Sequence, residues 1–458
     1  MKILFIESPY NYDSSKYQVG RYFPLGIGYI SAYLRKKGNI SEIYTGATKD
    51  ISEYIESFKP DIIGISSMTS TFPNAVKLAK KIKEHNKNIP VIIGGQHPSA
   101  MKEKILESYD CFDDLFFGEA EVNFAEYIQN YPDKSKINGI VYRDKNNEII
   151  TNNSQILIEN IDELPYPIKE ISSMELGYHP HFGFSGKTAS MITSRGCPYK
   201  CTFCSSGVTM GKKFRFHSVE YVLDNLEELN EKHGFNNIVF WDDVFTLIPE
   251  RLQKICQGII QKNIKIKWYC LSKANLLTPD IAKLMKSAGC AMISFGIESG
   301  NTDTLDKIQK HLNLDDVRKA VSICDKTGIK SQCTFILGFP FERKEEALDT
   351  IKFAKTLPAT FALFFSLIPY PNTDIYREVF GDNLNEDLSL WQKCIASEAK
   401  PESYSKFIDS KELKDLIKYA HNNFYFRLPQ IIRILKHVKS FKDITGYLKL
   451  ALELIKRT

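Results

Sequence analysis

Over the first ~130 residues, short apolar runs without polar alternation take turns with stretches whose apolar residues recur every three or four positions. "KILFIES", "SEIYTG", "DIIGISSM" and "PVIIGGQHPS" read as strands, the last running into a Gly-Gly loop, and "DDLFFGEAE" continues the series. "PLGIGYISAYLRKKG" reads as a helix with Pro24 at its start and Gly38 at its end. Helices over "DISEYIESFKP", "TFPNAVKLAKKIKEHN" and "VNFAEYIQN" follow the later strands. Strands of this kind, each followed by an amphipathic helix, predict a doubly wound parallel sheet of about five strands, covered on both faces. Such sheets bind ligands at the carboxyl ends of their strands. Those ends are Ser66-Ser67-Met68-Thr69, Gly94-Gly95-Gln96-His97 and Gly118-Glu119.

The pattern then changes. "GIVYRDKNNEIITNNS" reads as a β-hairpin with an Asn-Asn turn, and "IDELPYPIKEI" as an extended connector containing two prolines. After Lys187 the alternation returns, from "ASMITSRG" through "NIVFWDDVFT", "IKWYCLSKA", "CAMISFGIESG" and "IKSQCTFILGFP" to "ATFALFFSLIPYP". Six βα units suit an open (βα)6 barrel, because a closed eight-stranded one needs about 250 residues. The last ~50 residues read as helical and basic. The expected organisation is therefore a Rossmann-like domain over 1–135, a hairpin and linker over 136–186, a TIM-like (βα)6 barrel over 187–375 and a helical region over 376–458.

Charge narrows the function classes. Sixty Lys and Arg against 55 Asp and Glu give a formal +5, and the basic runs are broken by acids, so no nucleic-acid footprint emerges. The N-terminal apolar run is too short for a secretion-signal core, and no window of about 18 residues is apolar enough to cross a membrane. A cytoplasmic protein with reduced thiols is expected. Seven of the ten cysteines (Cys111, Cys256, Cys270, Cys290, Cys324, Cys333 and Cys394) stand alone in strand or helix contexts and read as small core residues.

The other three stand together in "SRGCPYKCTFCSS": Cys197, Cys201 and Cys204. Thiolates at this spacing can converge on one soft metal centre. A disulfide needs an even partner and an oxidising compartment. Structural zinc usually takes paired CxxC or Cys/His ligands, and His217 is the one histidine nearby. An iron–sulfur cube also takes thiolates, and three of them leave one iron open for chemistry.

CxxxCxxC with the aromatic Phe203 before the last cysteine resembles the radical S-adenosylmethionine (SAM) superfamily. That resemblance implies a [4Fe-4S] cluster on the three cysteines, with SAM chelating the open iron and being cleaved to methionine and a 5′-deoxyadenosyl radical. "SFGIESG" resembles the family's fourth-strand segment, whose acid, here Glu298, contacts SAM. "FWDDVFT" resembles the second-strand segment, which would aim Asp242 and Asp243 at the site, and "FILGFP" the fifth-strand turn. The physical reading beside this is that acids at strand ends are often helix caps. Phe203 is expected to support adenine through its backbone.

"FPLGIGYISAYLRKKG", "DIIGISSMTSTF", "VIIGGQHPS", "FFGEAE" and the connector "IDELPYPI" resemble the cobalamin-binding class of that superfamily, so the resemblance reaches to about residue 375. Asp-x-His-x-x-Gly, which supplies a histidine to cobalt in mutases, is absent, as it generally is from this class. The resemblance implies corrinoid contacts at Ser66, Ser67, Thr69, Gly94, Gly95, His97, Gly118 and Glu119, with His97 a hydrogen-bond partner rather than a metal ligand. It further implies methylation of an unactivated carbon on a small-molecule or lipid substrate, with an electron donor such as flavodoxin or ferredoxin. A non-methylating radical reaction and a front domain that binds no cobalamin stand as alternatives. In the tail, leucines and isoleucines at helical spacing alternate with basic residues from Arg427 to Arg457, which reads either as helices closing the barrel or as a peripheral membrane surface.

Overall fold

Strands that are apolar on both faces need helices on either side to take both rows of side chains out of water. The computed structural model describes residues 1–9, 22–44, 50–152, 157–173, 186–384, 386–394 and 401–436. The front domain runs β1 (Lys2–Glu7), α1 (Leu25–Lys36), β2 (Ile40–Tyr44), α2 (Ile51–Phe58), β3 (Ile62–Ser66) and α3 (Phe72–His85). It continues through β4 (Val91–Gly94), α4 (Gln96–Met101), α5 (Glu103–Ser108), β5 (Asp114–Phe116), α6 (Glu121–Asn130), β6 (Ile140–Arg143) and β7 (Ile149–Asn152). The sheet order is β2-β1-β3-β4-β5-β6-β7. Its first five strands are parallel, and β6 and β7 run antiparallel at the edge. Strand order reverses between β1 and β3, which opens a crevice at their carboxyl ends.

Two expectations change here. The hairpin assigned to the linker extends the front sheet, pairing Phe116 with Ile140 and covering the edge that β5 would otherwise expose. The loop after Gly94-Gly95 is the short helix α4, so His97 is helical.

Beyond α7 (Ile168–Ser173), β8 (Thr188–Met191) runs into β9 (Ser194–Arg195), α8 (Ser206–Met210) and β10 (Arg215–Phe216). The expected strand "ASMITSRG" is thus broken in two, and its second part forms a small antiparallel ribbon with β10. The barrel continues with α9 (Val219–Glu231), β11 (Asn237–Phe240), α10 (Pro249–Gln261), β12 (Lys267–Ser272), α11 (Pro279–Ser287) and β13 (Cys290–Glu298). It ends with α12 (Thr302–Lys307), α13 (Leu314–Thr327), β14 (Lys330–Leu337), α14 (Lys344–Thr356) and β15 (Phe361–Ser366). β8 and β11–β15 form one six-stranded parallel sheet in chain order, the expected (βα)6 barrel.

The C-terminal region divides its loyalty. After α15 (Asp374–Phe380) comes α16 (Leu388–Lys393), and Tyr376, Trp391 and Cys394 join Phe72 and Phe112 in the front-domain core. α17 (Ser410–Tyr425) then returns to the barrel, where the Tyr425 hydroxyl donates to the Ala362 carbonyl at 2.9 Å. α18 (Leu428–Lys436) follows, and the basic residues of the tail from Lys439 onward lie outside the described residues. Among the described residues no helix is long and apolar enough to cross a membrane. The seven solitary cysteines are all buried, as expected of core residues.

Candidate functional site

The loop that carries the three cysteines hangs from the β9–β10 ribbon at the carboxyl end of the barrel. Its first turn needs a glycine: Gly196 has φ +82°, and a Cβ there would lie 2.3 Å from the Lys213 carbonyl oxygen. Two backbone staples hold the loop, Thr202 N–H to the Ile308 carbonyl and Ile375 N–H to the Thr202 carbonyl, both 3.1 Å. Phe203 turns its ring into an apolar cluster with Leu305, Ile308, Phe339, Leu367 and Ile375, leaving its backbone toward the loop.

All three thiols are pushed up by burial, Cys204 to about 11. Cys204 is nonetheless open to solvent. Two cations oppose the rise. Lys310 acts on Cys197 and Cys201, and Lys273 acts on Cys201. Lys273 sits 3.7 Å from the Tyr199 ring centre. Free of metal, these thiols hold their protons at neutral pH, so ligation would release protons into water while the lysines offset the thiolate charge. Among the described residues no three His, Cys, Asp or Glu side chains stand close enough to hold a single metal ion, so the fit rests on the donor set. Three thiols on one loop beside two cations suit an iron–sulfur cluster, which spreads its ligands over several irons.

Glu298 ends β13 with φ +71°, and Lys310 Nζ donates to its Oε1 at 2.8 Å. Gly296 makes room for the pair, since a Cβ there would meet Glu298 Oε1 at 2.5 Å and Lys310 Nζ at 3.1 Å. Gln309 and His311, on either side of Lys310, also have positive φ, 52° and 47°. Left-handed backbone at three non-glycine residues around one buried ion pair is strain of the kind that gathers at functional sites.

The two aspartates separate. Asp242 is 1% exposed and turned inward. It accepts from Thr193 N–H at 3.1 Å, from the Thr193 hydroxyl at 2.7 Å and from the Ser194 hydroxyl, so the expected SAM contact gives way to a clamp on the turn between β8 and β9. Asp243 lies on the open side, accepts from the Ser206 hydroxyl just after Cys204, and caps no helix.

Below the loop, at the carboxyl ends of β3, β4 and β5, is a cavity of about 370 Å³. Phe5, Ile65, Ile92 and Phe116 give it apolar walls, Gly26 of α1 lies at its rim, and Ile192, Arg195, Thr209 and Met210 of the barrel close it. A Cβ at Gly26 would meet nothing within 4 Å. Of the expected corrinoid contacts, Ser66, Gly94, Gly95, Gly118 and Glu119 line this cavity, and Ser67, Thr69 and His97 do not. Gly95 is obligatory, with φ +103° and a Cβ position 2.5 Å from the Ser67 carbonyl oxygen. Ser67 hydrogen-bonds Thr71 at 3.3 Å, and Thr69 contacts His97 Nδ1 at 3.3 Å. His97 is fully buried between Phe72 and Trp391, 3.5 Å from Glu386 of the C-terminal region. It is a packing partner of that region, and burial holds its pKa below the ordinary imidazole value.

Glu119 has two employments. It lines the cavity, and both its oxygens accept from Arg215 at 2.8 Å while Ile158 N–H donates to it at 2.9 Å. Arg195 lies 3.4 Å from it and donates to Glu121 at 2.6 Å. Two front-domain carboxylates thus hold two barrel guanidiniums, all nearly buried, beside the cysteine loop. Gln96, the first residue of α4, faces the cavity and donates its amide to the Ser205 hydroxyl. Sequence reasoning placed Gln96 at a ligand-binding strand end without giving it a role, and missed Lys310, Lys273 and the two arginines. Arg195 alone had a local signal, its place immediately before Gly196 and Cys197.

The cavity has the size of a small-molecule site. Its glycine-relieved apolar walls suit the flat heteroaromatic tail of a corrinoid.

Residues 191–354 match the radical SAM superfamily and residues 19–128 match the B12 binding domain. The chain is 33% identical over 418 residues to an uncharacterized methyltransferase of Pyrococcus horikoshii, covering 90% of this chain and 89% of that one. It is 24% identical to the anaerobic magnesium-protoporphyrin IX monomethyl ester cyclase of Rubrivivax gelatinosus, covering 93% and 77%. In fold it is similar to the radical SAM methyltransferase TsrM from Kitasatospora setae with cobalamin and a [4Fe-4S] cluster bound, with a TM-score of 0.67, 16% identity and coverage of 82% and 77%.

Proposed function

Because the chain belongs to the radical SAM superfamily and carries a B12-binding domain ahead of its barrel, we propose that it is a cobalamin-dependent methyltransferase acting on an unactivated carbon. The observation that carries the reading is that one short stretch, from Arg195 to Met210, serves both sites: its cysteines form the cluster loop and its Thr209 and Met210 wall the front-domain cavity. When bound, the cluster supplies the electron that splits SAM, and the corrinoid supplies a transferable methyl group.

The protein's share is holding and orientation. Cys197, Cys201 and Cys204 would ligate the cluster. Glu298, fixed by Lys310, would accept from the SAM amino group, and the backbone beside Phe203 would support the adenine. Asp243 lies on the same open side. Ser66, Gly94, Gly95 and Gly118 would let the corrinoid tail approach the backbone closely. Gln96 ties that cavity to the cluster loop through Ser205. The substrate is a small molecule or a lipid, and a low-potential carrier such as flavodoxin or ferredoxin would deliver the electron. Free thiols throughout suit a reducing cytoplasm.

The test is product counting with protein purified without oxygen. Methylation on this scheme forms 5′-deoxyadenosine and S-adenosylhomocysteine together. The similarity to the Rubrivivax cyclase favours a second reading, a radical reaction without methyl transfer, and that would give deoxyadenosine alone. Cys201→Ala should abolish both products, and SAM cleavage that survived it would sink the assignment.

A further inference from the structure

Two independent observations in the C-terminal region point to one partner. First, α18 keeps apolar residues on its outer side. Its inward side mixes polar anchors with the partly buried Ile434: Arg427 donates to the carbonyl oxygens of Lys355 and Leu357, and Gln430 donates to those of Ala359 and Thr360 at 3.1 and 2.9 Å. Its outward side is apolar, with Leu428, Ile431, Ile432 and Leu435 exposed at 70%, 42%, 47% and 62%. These four recur at helical spacing, one apolar stripe on the outer face, where an ordinary surface helix is polar. A contiguous exposed stripe, unlike scattered apolar residues, marks an interaction surface.

Second, the chain's charge is segregated. From Arg427 to Thr458 stand eight of the sixty Lys and Arg but two of the fifty-five Asp and Glu. That segment carries a formal +6, and the remainder of the chain lies within one charge of neutrality.

We propose that α18 and the basic segment after it dock the protein on an anionic lipid surface. The apolar stripe would enter the interface while the lysines and arginines meet headgroup phosphates. Charge favours lipid over a second copy of the chain, since pairing two such segments sets like charges against each other. The location of the stripe adds a consequence. α18 rests on the turn before β15 and on Asp325 near the end of α13, at the amino-terminal face of the barrel, opposite the cysteine loop. Docking there leaves the site facing away from the bilayer. The surface therefore sets where the protein works, and does not pass a lipid substrate straight into the barrel.

The test uses the full-length holoprotein and flotation with vesicles of phosphatidylcholine alone or with about one third phosphatidylglycerol. The wild type should float with the anionic vesicles at least about tenfold more than with neutral ones, and raised salt should weaken the association. Ile431→Gln with Leu435→Gln, both at exposed positions, should cut flotation about tenfold at an unchanged melting temperature. No preference for anionic vesicles would overturn the proposal. So would a double variant that floats normally but melts lower, since the stripe would then be covered by the chain's own residues. A variant that changes molecular mass in light scattering without affecting flotation would assign the stripe to a second copy.

Discussion

Removing the Glu119 carboxylate distinguishes an interdomain strut from a ligand contact. Arg215 is 3% exposed and has two charge-assisted bonds to Glu119, with the Ile158 and Met210 carbonyls as its remaining acceptors. Glu119→Ala leaves that guanidinium buried without its counter-charge, which costs about 3–5 kcal/mol. That is a large part of the ~5–15 kcal/mol that holds a domain together. Glu119→Gln keeps the shape and one acceptor and should lose roughly half as much. Glu119→Leu combined with Arg215→Met removes both charges and should recover to within about 1–2 kcal/mol of wild type. The assay is urea unfolding under nitrogen followed by far-ultraviolet circular dichroism, with hydroxocobalamin titration in parallel. A Glu119→Ala protein within about 1 kcal/mol of wild type would refute the strut. A stable Glu119→Gln protein with lost cobalamin affinity would reassign the residue to the ligand.

Three further outcomes follow. Gly26→Leu, filling open space at the cavity rim, should keep iron and fold but lose cobalamin on gel filtration. Gly28→Leu, whose Cβ would press on Phe23 at 2.3 Å, should instead lower the melting temperature. Burial pushes the Glu342 carboxyl up from 4.5 to about 8 in the fold, so the unfolded chain releases its proton first as pH rises. Stability should therefore fall between pH 4.5 and 8, and Glu342→Gln should flatten that slope and raise the urea midpoint at pH 8. His217, buried and bonded to Asp162 at 2.9 Å, is held near 4 against an ordinary 6.5, chiefly by desolvation. Its contribution is complete above pH 6.5 and lost as pH falls toward 4, and His217→Asn should reduce that acid sensitivity in denaturant titrations.

How much of this was legible beforehand differs by element. Most of the six barrel strands and of the five parallel front strands were readable because they are apolar runs between helices, a local property that burial on both faces imposes. The exceptions are the edge strand β2 (ISEIY), with no buried residue, and the strand expected over ASMITSRG, which breaks in two. The hairpin was recognised as a hairpin but not as part of the front sheet. Its pairing to β5 is a long-range choice, made because β5 would otherwise present an open edge. His97 and Asp242 looked like site residues because they end strands, and the fold turned both inward. A strand end says that a residue is near the crevice, and the neighbouring element decides which way its side chain points. For His97 that element is the segment around Glu386 and Trp391, nearly three hundred residues later.

By itself the sequence determined the two domain types, the cysteine loop and, through that loop, the family and its cofactors. A CxxxCxxC loop is a local spacing, and local spacings survive in any linear reading. Only the tertiary structure decided that Lys310 serves Glu298, that Arg195 and Arg215 bind the front domain through Glu119 and Glu121, and that Gln96 joins the cavity to the cysteine loop. Each of these pairs residues that are distant along the chain or buried from both sides. Their reason is electrostatic: a charge or amide taken out of water must find its partner, and folding alone brings the partner within reach.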